Sequence, residues 1–209
     1  MMTNFINTTF DRLLGITPTD SLNKAPTSTE SFTAEDLAAE LAATIKLVRA
    51  ETYDPRSKAL DYYALANSLL YQRYQQVLTP ALQTINLNAF NHPDQQKAFW
   101  INLYNALVID AVIQFKVKDS VTEGFLGLIR FFRKAAYNVG GSRFSLEDIE
   151  HGILRSNQGN PFIPGPQFSK SDPRRAHVIE SLDPRIHFAI NCASVSCPPI
   201  NTYSATNLD

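Results

Sequence analysis

The stretch Phe99-Trp-Ile-Asn-Leu-Tyr-Asn-Ala-Leu-Val-Ile109 is apolar at most positions and decides the fold. It lies in the segment 95–115, directly after a helix-start cluster at 91–94. Because apolar residues fall on nearly every side of a helix drawn through it, the pattern predicts a buried central helix. Asn102 and Asn105 lie three residues apart, on one face of that helix. They are either structural amides that bind neighbouring backbone or groups that orient a catalytic side chain.

Helical spacing of apolar residues extends upstream of this segment. Thr33, with an acid three residues later, forms half of a capping box for a helix that continues to about Val48. A second helix is predicted over 57–77, where apolar and aromatic residues recur on one side. The chain before the central segment is therefore predicted to be mostly helical.

The pattern changes to strand-like periods downstream. Residues 135–144 are typical of a hairpin, because the Gly-Gly pair at 140–141 suits a two-residue turn with positive φ. Apolar residues alternate over 186–192, which favours a strand. These patterns predict an α+β fold, in which a mostly helical N-terminal half packs on a small antiparallel sheet that includes 134–144 and 186–192.

The polar, proline-containing composition of residues 1–32 predicts a loose N-terminal arm that packs little. Residues 33–209 are predicted to form a single α+β domain. A hydrophobic content of 44% is sufficient for a core of that size.

Charge and hydropathy narrow the classes of partner. The net charge of -1 provides no basic surface for nucleic acid or for an anionic membrane. No apolar run reaches the roughly 20 residues that a membrane span requires. Because the N-terminus lacks the basic and apolar regions of a secretory signal, we expect a cytoplasmic protein with reduced cysteines.

Both cysteines lie in the stretch Asp183-Pro-Arg-Ile-His-Phe-Ala-Ile-Asn-Cys-Ala-Ser-Val-Ser-Cys-Pro-Pro-Ile200. In the predicted strand, Cys192 occupies the point where the alternation ends and a loop of small polar residues begins. A thiol at this point is held in place by the strand and is accessible from the loop, as a catalytic group must be. His187 points to the opposite face of such a strand and is a poor partner for Cys192.

A capping-box pattern at 145–148 begins a further predicted helix, and His151 lies away from its apolar side. We therefore predict a cysteine-dependent hydrolase or transferase that acts on an unknown small molecule or peptide. Cys192 is its nucleophile, His151 activates the thiol, and Asp148 orients the imidazole. Asn102 or Asn105 is predicted to line the same cleft and to bind an oxyanion or orient the imidazole.

Three other interpretations of the cysteines remain open. Cys192 and Cys197 could bind a metal with His151 and His187 as the other two ligands, but the cysteine spacing is not that of the usual zinc knuckle, so no metal and no cofactor is predicted. The same pair can close geometrically as a redox disulfide, although its spacing is not that of thiol oxidoreductases. The main alternative to an enzyme is a non-catalytic interaction module in which Cys192 is a buried structural residue.

Three segments of the chain, at 99–109, 137–155 and 183–199, together resemble the domain-of-unknown-function 547 family. The resemblance covers about residues 58–209 and implies a single compact α+β domain without a settled activity. Members of that family typically continue for several tens of residues beyond the Cys-Pro-Pro segment. The resemblance therefore implies a domain shortened at its C-terminus, with self-association through the surface exposed by the missing part.

Overall fold

The computed structural model describes residues 2–26, 30–117, 121, 127–194, 197 and 199–208. Its α-helices are α1 (Met2–Leu13), α2 (Ala34–Thr52), α3 (Tyr62–Ala66), α4 (Leu69–Arg73), α5 (Thr79–Ala81), α6 (Pro93–Gln114), α7 (Gly127–Lys134) and α8 (Ile186–Ala189). Its strands are β1 (Tyr53–Asp54), β2 (Ala59–Leu60), β3 (Ala136–Val139) and β4 (Ser142–Ser145). The remaining helical turns are two π-helical turns, Tyr74–Leu78 and Asp148–Leu154, and three 3-10 turns, Leu82–Thr84, Leu87–Ala89 and Pro173–His177.

Helix accounts for 52% of the residues, and the strands form two small antiparallel hairpins, β1–β2 and β3–β4. This confirms the predicted α+β class with a mostly helical N-terminal half.

The predicted central helix is α6. It begins with a capping box in which the His92 ring accepts the backbone N–H of Asp94 at 3.2 Å and Gln95 accepts the N–H of His92. Every residue from Ala98 to Val112 is buried. α6 contacts α2, α3 and the π-helical turn Asp148–Leu154, so it forms the middle of the core. No helix in the described ranges is both long and apolar enough to cross a membrane.

α2 also follows its sequence pattern. The Thr33 hydroxyl accepts the N–H of Asp36 at 3.1 Å and donates to the Asp36 carboxylate at 2.8 Å, which fixes the first turn. The buried residues Leu37, Leu41, Ile45 and Val48 form the helical stripe that packs on the core.

The single helix predicted over 57–77 is wrong. Its first residues form the turn and second strand of the β1–β2 hairpin, and the rest divides into α3, α4 and the turn Tyr74–Leu78. Asp61 accepts the N–H of Ala64 at 2.9 Å, and Ser68 accepts the N–H of Tyr71 at 3.1 Å. Each of these side chains acts as a new N-cap, and the helix therefore restarts twice.

The predicted hairpin at 135–144 is confirmed as β3–β4, with the register Ala136↔Ser145 to Val139↔Ser142. Gly140 and Gly141 have φ of 56° and 82°, which other residues rarely adopt. A Cβ on Gly140 would also lie 2.9 Å from the Ile85 carbonyl oxygen, so this turn approaches the backbone closely.

The strand predicted over 186–192 is wrong, because residues Ile186–Ala189 form the short helix α8. Ile186 and Ile190 are 2% and 8% exposed, whereas Phe188 between them is 71% exposed. The buried positions are thus four residues apart, which is a helical spacing. Asp183 accepts the backbone N–H of Arg185 at 3.0 Å and favours this turn over an extended chain.

The helix predicted after Ser145 begins as expected but continues as the π-helical turn Asp148–Leu154. Ser145 and Asp148 cap each other: Asp148 N–H donates to the Ser145 hydroxyl at 3.1 Å, and Ser145 N–H donates to the Asp148 carboxylate at 3.0 Å. A Cβ on Gly152 would lie 2.4 Å from the buried ring of Phe168. The turn is therefore packed tightly against that ring.

Residues of the N-terminal segment make more contacts with the core than their composition indicates. Ile16 and Asn23 are buried. The Asn23 amide accepts the N–H of Asn138 at 2.8 Å and donates to its carbonyl at 2.9 Å. Arg133 donates to Asp11 at 2.7 Å. Polar side chains here bind backbone and charged groups of the core, which a count of apolar residues does not reveal.

Candidate functional site

Two free thiols lie in contact at the C-terminal part of the chain. Cys192 Sγ and Cys197 Sγ are 2.8 Å apart, and both residues are half-buried. Burial, followed by the hydrogen bond and charge of Cys197, raises the pKa of Cys192 to about 11. A thiol with this pKa is mostly protonated at neutral pH and needs a base before it can act as a nucleophile.

The loop that carries Cys192 (190–194, called the thiol loop below) is fixed by Asn105 on α6. The Asn105 amide donates to the Ala189 carbonyl at 3.1 Å and accepts the N–H of Asn191 at 2.9 Å. Asn191 in turn accepts the N–H of Ala193 at 2.8 Å, and Ala193 has a φ of 61°. The helix thus fixes the backbone just before the cysteine, and the Asn191 side chain fixes the residue just after it.

Asn102 makes the same kind of contact one turn earlier on α6. It donates to the Tyr203 carbonyl at 2.7 Å and accepts the Tyr203 N–H at 3.0 Å. Asn102 and Asn105 are 2% and 0% exposed. Their contacts are those of structural amides that bind backbone, the first of the two interpretations given above.

His151 lies on the π-helical turn, 13% exposed at its side chain. Its Nδ1 is buried and has no hydrogen-bond partner among the described residues. Its Nε2 is 3.9 Å from Glu150 Oε1. Burial lowers the pKa of His151 and Arg155 acts in the same direction, although Glu150 opposes them. The imidazole is therefore neutral near pH 7 and able to accept a proton.

Glu150 is near His151 and also contacts Tyr104. The Tyr104 hydroxyl donates to Glu150 Oε2 at 3.2 Å, and Arg155 donates to Glu150 Oε1 at 3.1 Å. Burial raises the pKa of Tyr104 well above its usual value, and the charges of Glu150, Cys192 and Cys197 raise it further. The phenol is thus close enough to both thiols to feel their ionisation.

Sequence reasoning missed Glu150 and Tyr104. The available signals were weak: Glu150 precedes His151, and Tyr104 lies between the two asparagines of α6. Their contact joins positions 46 residues apart, so neither residue could be assigned without the fold.

Asp148 is occupied by other groups. Its carboxylate accepts from the Ser145 hydroxyl at 2.8 Å and from Gln167 at 2.9 Å, and it pairs with Arg174 at 3.0 Å. Burial acts to raise its pKa, but Arg174 and the hydrogen bonds outweigh burial and lower it. The structure thus brings Asp148 to the cap of the turn, and its role as the carboxylate that orients His151 stays a prediction.

One cavity adjoins the thiol loop, and a second cavity lies next to it along α2. The smaller, of about 60 Å³, is lined by Arg49, Tyr53, Lys58, Ala59, Leu60, Tyr62, Asn191, Ala193, Ser194, Pro199 and Ile200. The larger, of about 390 Å³, is lined by Ile45, Lys46, Arg49, Ala50, Tyr53, Ile200, Asn201 and Thr202. Three residues line both cavities, and we call the combined space the cationic cleft.

The four residues considered as metal ligands do not gather at one point in the described ranges. Within those ranges, no group of three or more His, Cys, Asp and Glu side chains is arranged to hold a metal ion.

A family model described as "Protein of unknown function, DUF547" matches residues 87–209, which is more than half of the chain. No curated protein and no solved structure matches the chain. The matched range contains the thiols, His151, Glu150 and both asparagines of α6.

Proposed function

The chain belongs to the DUF547 family, and on that premise we propose that it is a cysteine-dependent hydrolase or transferase. Cys192 is the nucleophile and His151 is the general base. The observation that carries the proposal is the buried Nδ1 of His151, which lacks a partner among the described residues. The other ring nitrogen faces Glu150, the carboxylate that also accepts the Tyr104 hydroxyl.

An unpaired buried nitrogen costs about 1–3 kcal/mol relative to a bonded one. Such atoms require an explanation, and a catalytic role is one of the few that apply. A neutral imidazole with an unoccupied Nδ1 can accept a proton at that atom, because no donor among the described residues occupies it. The lowered pKa of His151 keeps it in this form at neutral pH.

Cys192 needs such a base. With a pKa of about 11, only about one molecule in ten thousand carries a thiolate at pH 7. In the proposed step, His151 takes the thiol proton as Cys192 Sγ attacks an acyl carbon. The imidazolium then protonates the leaving group, and water or an acceptor cleaves the acyl-enzyme. The substrate or one water bridges the two side chains, as is common when the unliganded geometry is open.

Glu150 and Tyr104 support this step. Glu150 lies on the Nε2 side of His151 and stabilises the imidazolium that forms, which is the task first assigned to Asp148. Tyr104 remains protonated because its pKa is raised, so its hydroxyl keeps donating to Glu150 and orients that carboxylate.

The non-catalytic module is the second candidate, and the raised pKa of Cys192 favours it. A thiol that is protonated, half-buried and in contact with Cys197 has the properties of a structural pair. The two candidates differ in whether His151 affects the reactivity of Cys192.

The test is alkylation by iodoacetamide between pH 6.5 and 9.5, with the labelled cysteine located by mass spectrometry. We expect Cys192 to react at neutral pH and His151→Gln to slow it at least about tenfold, as loss of a general base does. Cys197→Ala is the matched control, because it removes a thiol and keeps the base. A burst of p-nitrophenolate from p-nitrophenyl acetate should accompany the labelling and disappear in Cys192→Ala.

The enzyme proposal would be refuted if the rate of Cys192 alkylation rose tenfold per pH unit throughout and was equal in the native chain and in His151→Gln. That result would describe a thiol without a base and would support the module.

A further inference from the structure

We propose that the cationic cleft binds an oxyanion group, a carboxylate or a phosphate, on the substrate of the thiol site. The inference rests on the proposed function for its link to Cys192. The anion is held by Lys46, Arg49 and Lys58, which all line the cleft.

The two cavities of the cleft are neighbours. Arg49, Tyr53 and Ile200 line both of them, so the side chain of Arg49 faces both spaces. One end lies along α2, and the other end is formed by Asn191, Ala193 and Ser194 of the thiol loop. In the chain, Cys192 stands between Asn191 and Ala193, which both line the smaller cavity.

The charges that line the cleft have one sign. Its lining contains three cationic side chains and no Asp or Glu. Lys46 and Arg49 are three residues apart on α2 and therefore lie on the same face. Cations focused in a concave site attract anions more strongly than the same charges on a convex surface.

These three cations form no ion pair among the described residues. The ion pairs among the described residues involve other side chains, for example Arg73 with Glu40 at 2.9 Å and Arg185 with Asp183 at 3.0 Å. The polar contact of Arg49 is the neutral amide of Asn201, at a long 3.4 Å. No carboxylate within the described ranges competes with a ligand for these groups.

The shape fits a small ligand with an anionic end. A volume of about 390 Å³ lies in the range of small-molecule sites. The Arg49 guanidinium matches the two oxygens of a carboxylate or phosphate, and Tyr53 and Tyr62 provide flat apolar walls. An anion held at Arg49 leaves the rest of the ligand free to reach the thiol loop.

The first arm of the test compares iodoacetate, which is anionic, with the neutral iodoacetamide. The measured quantity is the ratio of their alkylation rates at Cys192. We expect the triple substitution Lys46→Gln, Arg49→Gln, Lys58→Gln to lower this ratio about fivefold at low salt, with a smaller effect in 1 M salt. Lys170→Gln is the control, because it removes an exposed cation that does not line the cleft.

The second arm does not need a reactive thiol. Cys192→Ala protein is titrated by NMR with inorganic phosphate and, separately, with acetate, at constant ionic strength. We expect saturable shifts at Arg49, Asn201 and Ala193 with at least one anion, and a dissociation constant about tenfold higher when the triple substitution is added. The anion that gives saturable shifts shows whether the cleft binds a carboxylate or a phosphate.

The two arms separate failure of this inference from failure of the proposed function. Without saturable shifts for either anion, or with equal binding to the triple variant, the inference is wrong. Saturable binding combined with an unreactive Cys192 supports the anion site and overturns only the catalytic role of the thiol.

Discussion

α6 contributes to two buried polar clusters that are built differently. In the first, which we call the Asp110 cluster, Asp110 accepts the hydroxyls of Tyr71 and Tyr137 at 2.6 Å each and Gln114 at 2.8 Å. The Tyr74 hydroxyl then contacts that of Tyr137 at 2.8 Å. Both carboxylate oxygens and all three phenols have partners, so this cluster is closed.

The thiol site is open by comparison. Asn105 is fully bonded, but His151 Nδ1 has no partner among the described residues, and the nearest carboxylate is 3.9 Å from the other ring nitrogen. A closed network of buried polar groups stabilises and specifies a core. An open one leaves a group free to act on a ligand. The comparison predicts that substitutions in the first cluster affect stability and that substitutions of His151 affect reactivity.

The largest effect is expected from Asp110→Ala. It leaves three donors without their acceptor in a buried site, so the free energy of unfolding should fall by about 4 kcal/mol. Asp110→Asn keeps one acceptor oxygen and should cost about half as much. Urea unfolding followed by circular dichroism measures both, and a loss below about 1 kcal/mol for Asp110→Ala would show that the cluster is not closed.

Glu147 is an intermediate case whose effect depends on pH. Burial raises its pKa to about 7, although the hydrogen bond from Asn160 at 2.8 Å opposes the shift. The folded state therefore keeps a proton that the unfolded state loses above about pH 4.3. Stability should fall as the pH rises from about 4.5 to 7, by about 3 kcal/mol in total.

Glu147→Gln tests this expectation because it cannot titrate. The free energy of unfolding is measured with urea at pH 5 and at pH 7. Its fall between these two pH values should be smaller in the variant than in the native chain, by at least about 2 kcal/mol. Parallel pH dependence in the two proteins would mean that Glu147 titrates normally.

Asn105→Ala should have a smaller effect on stability, about 2 kcal/mol, because it leaves two backbone groups unpaired. It should also change iodoacetamide labelling of Cys192, since Asn105 fixes the thiol loop. Asn102→Ala is the matched substitution: it removes the same two kinds of hydrogen bond, but from Tyr203 instead. Equal labelling in the two variants would show that Asn105 does not position the thiol.

The sequence predicted these regions unequally, for physical reasons. α6 and the β3–β4 hairpin were predictable, because a long all-apolar helix and a Gly-Gly turn are local signals. The structure of residues 186–192 was not predictable. Apolar residues at Ile186, Phe188 and Ile190 fit the period of a strand, but burial of only Ile186 and Ile190 fits a helical turn equally well. The contact between Tyr104 and Glu150 depends on tertiary packing, which local patterns do not contain.

The smallest effect on stability is expected from His151→Gln. Nδ1 makes no hydrogen bond with the part of the chain that the structure describes, and Gln has a similar volume, so the unfolding free energy should change by less than about 1 kcal/mol. Tyr137→Phe in the Asp110 cluster is the comparison, because it removes one bonded hydroxyl and should cost about 1–2 kcal/mol. If His151→Gln proved the more damaging of the two in urea, the imidazole would be a structural group, and the contrast between a closed and an open cluster would fail.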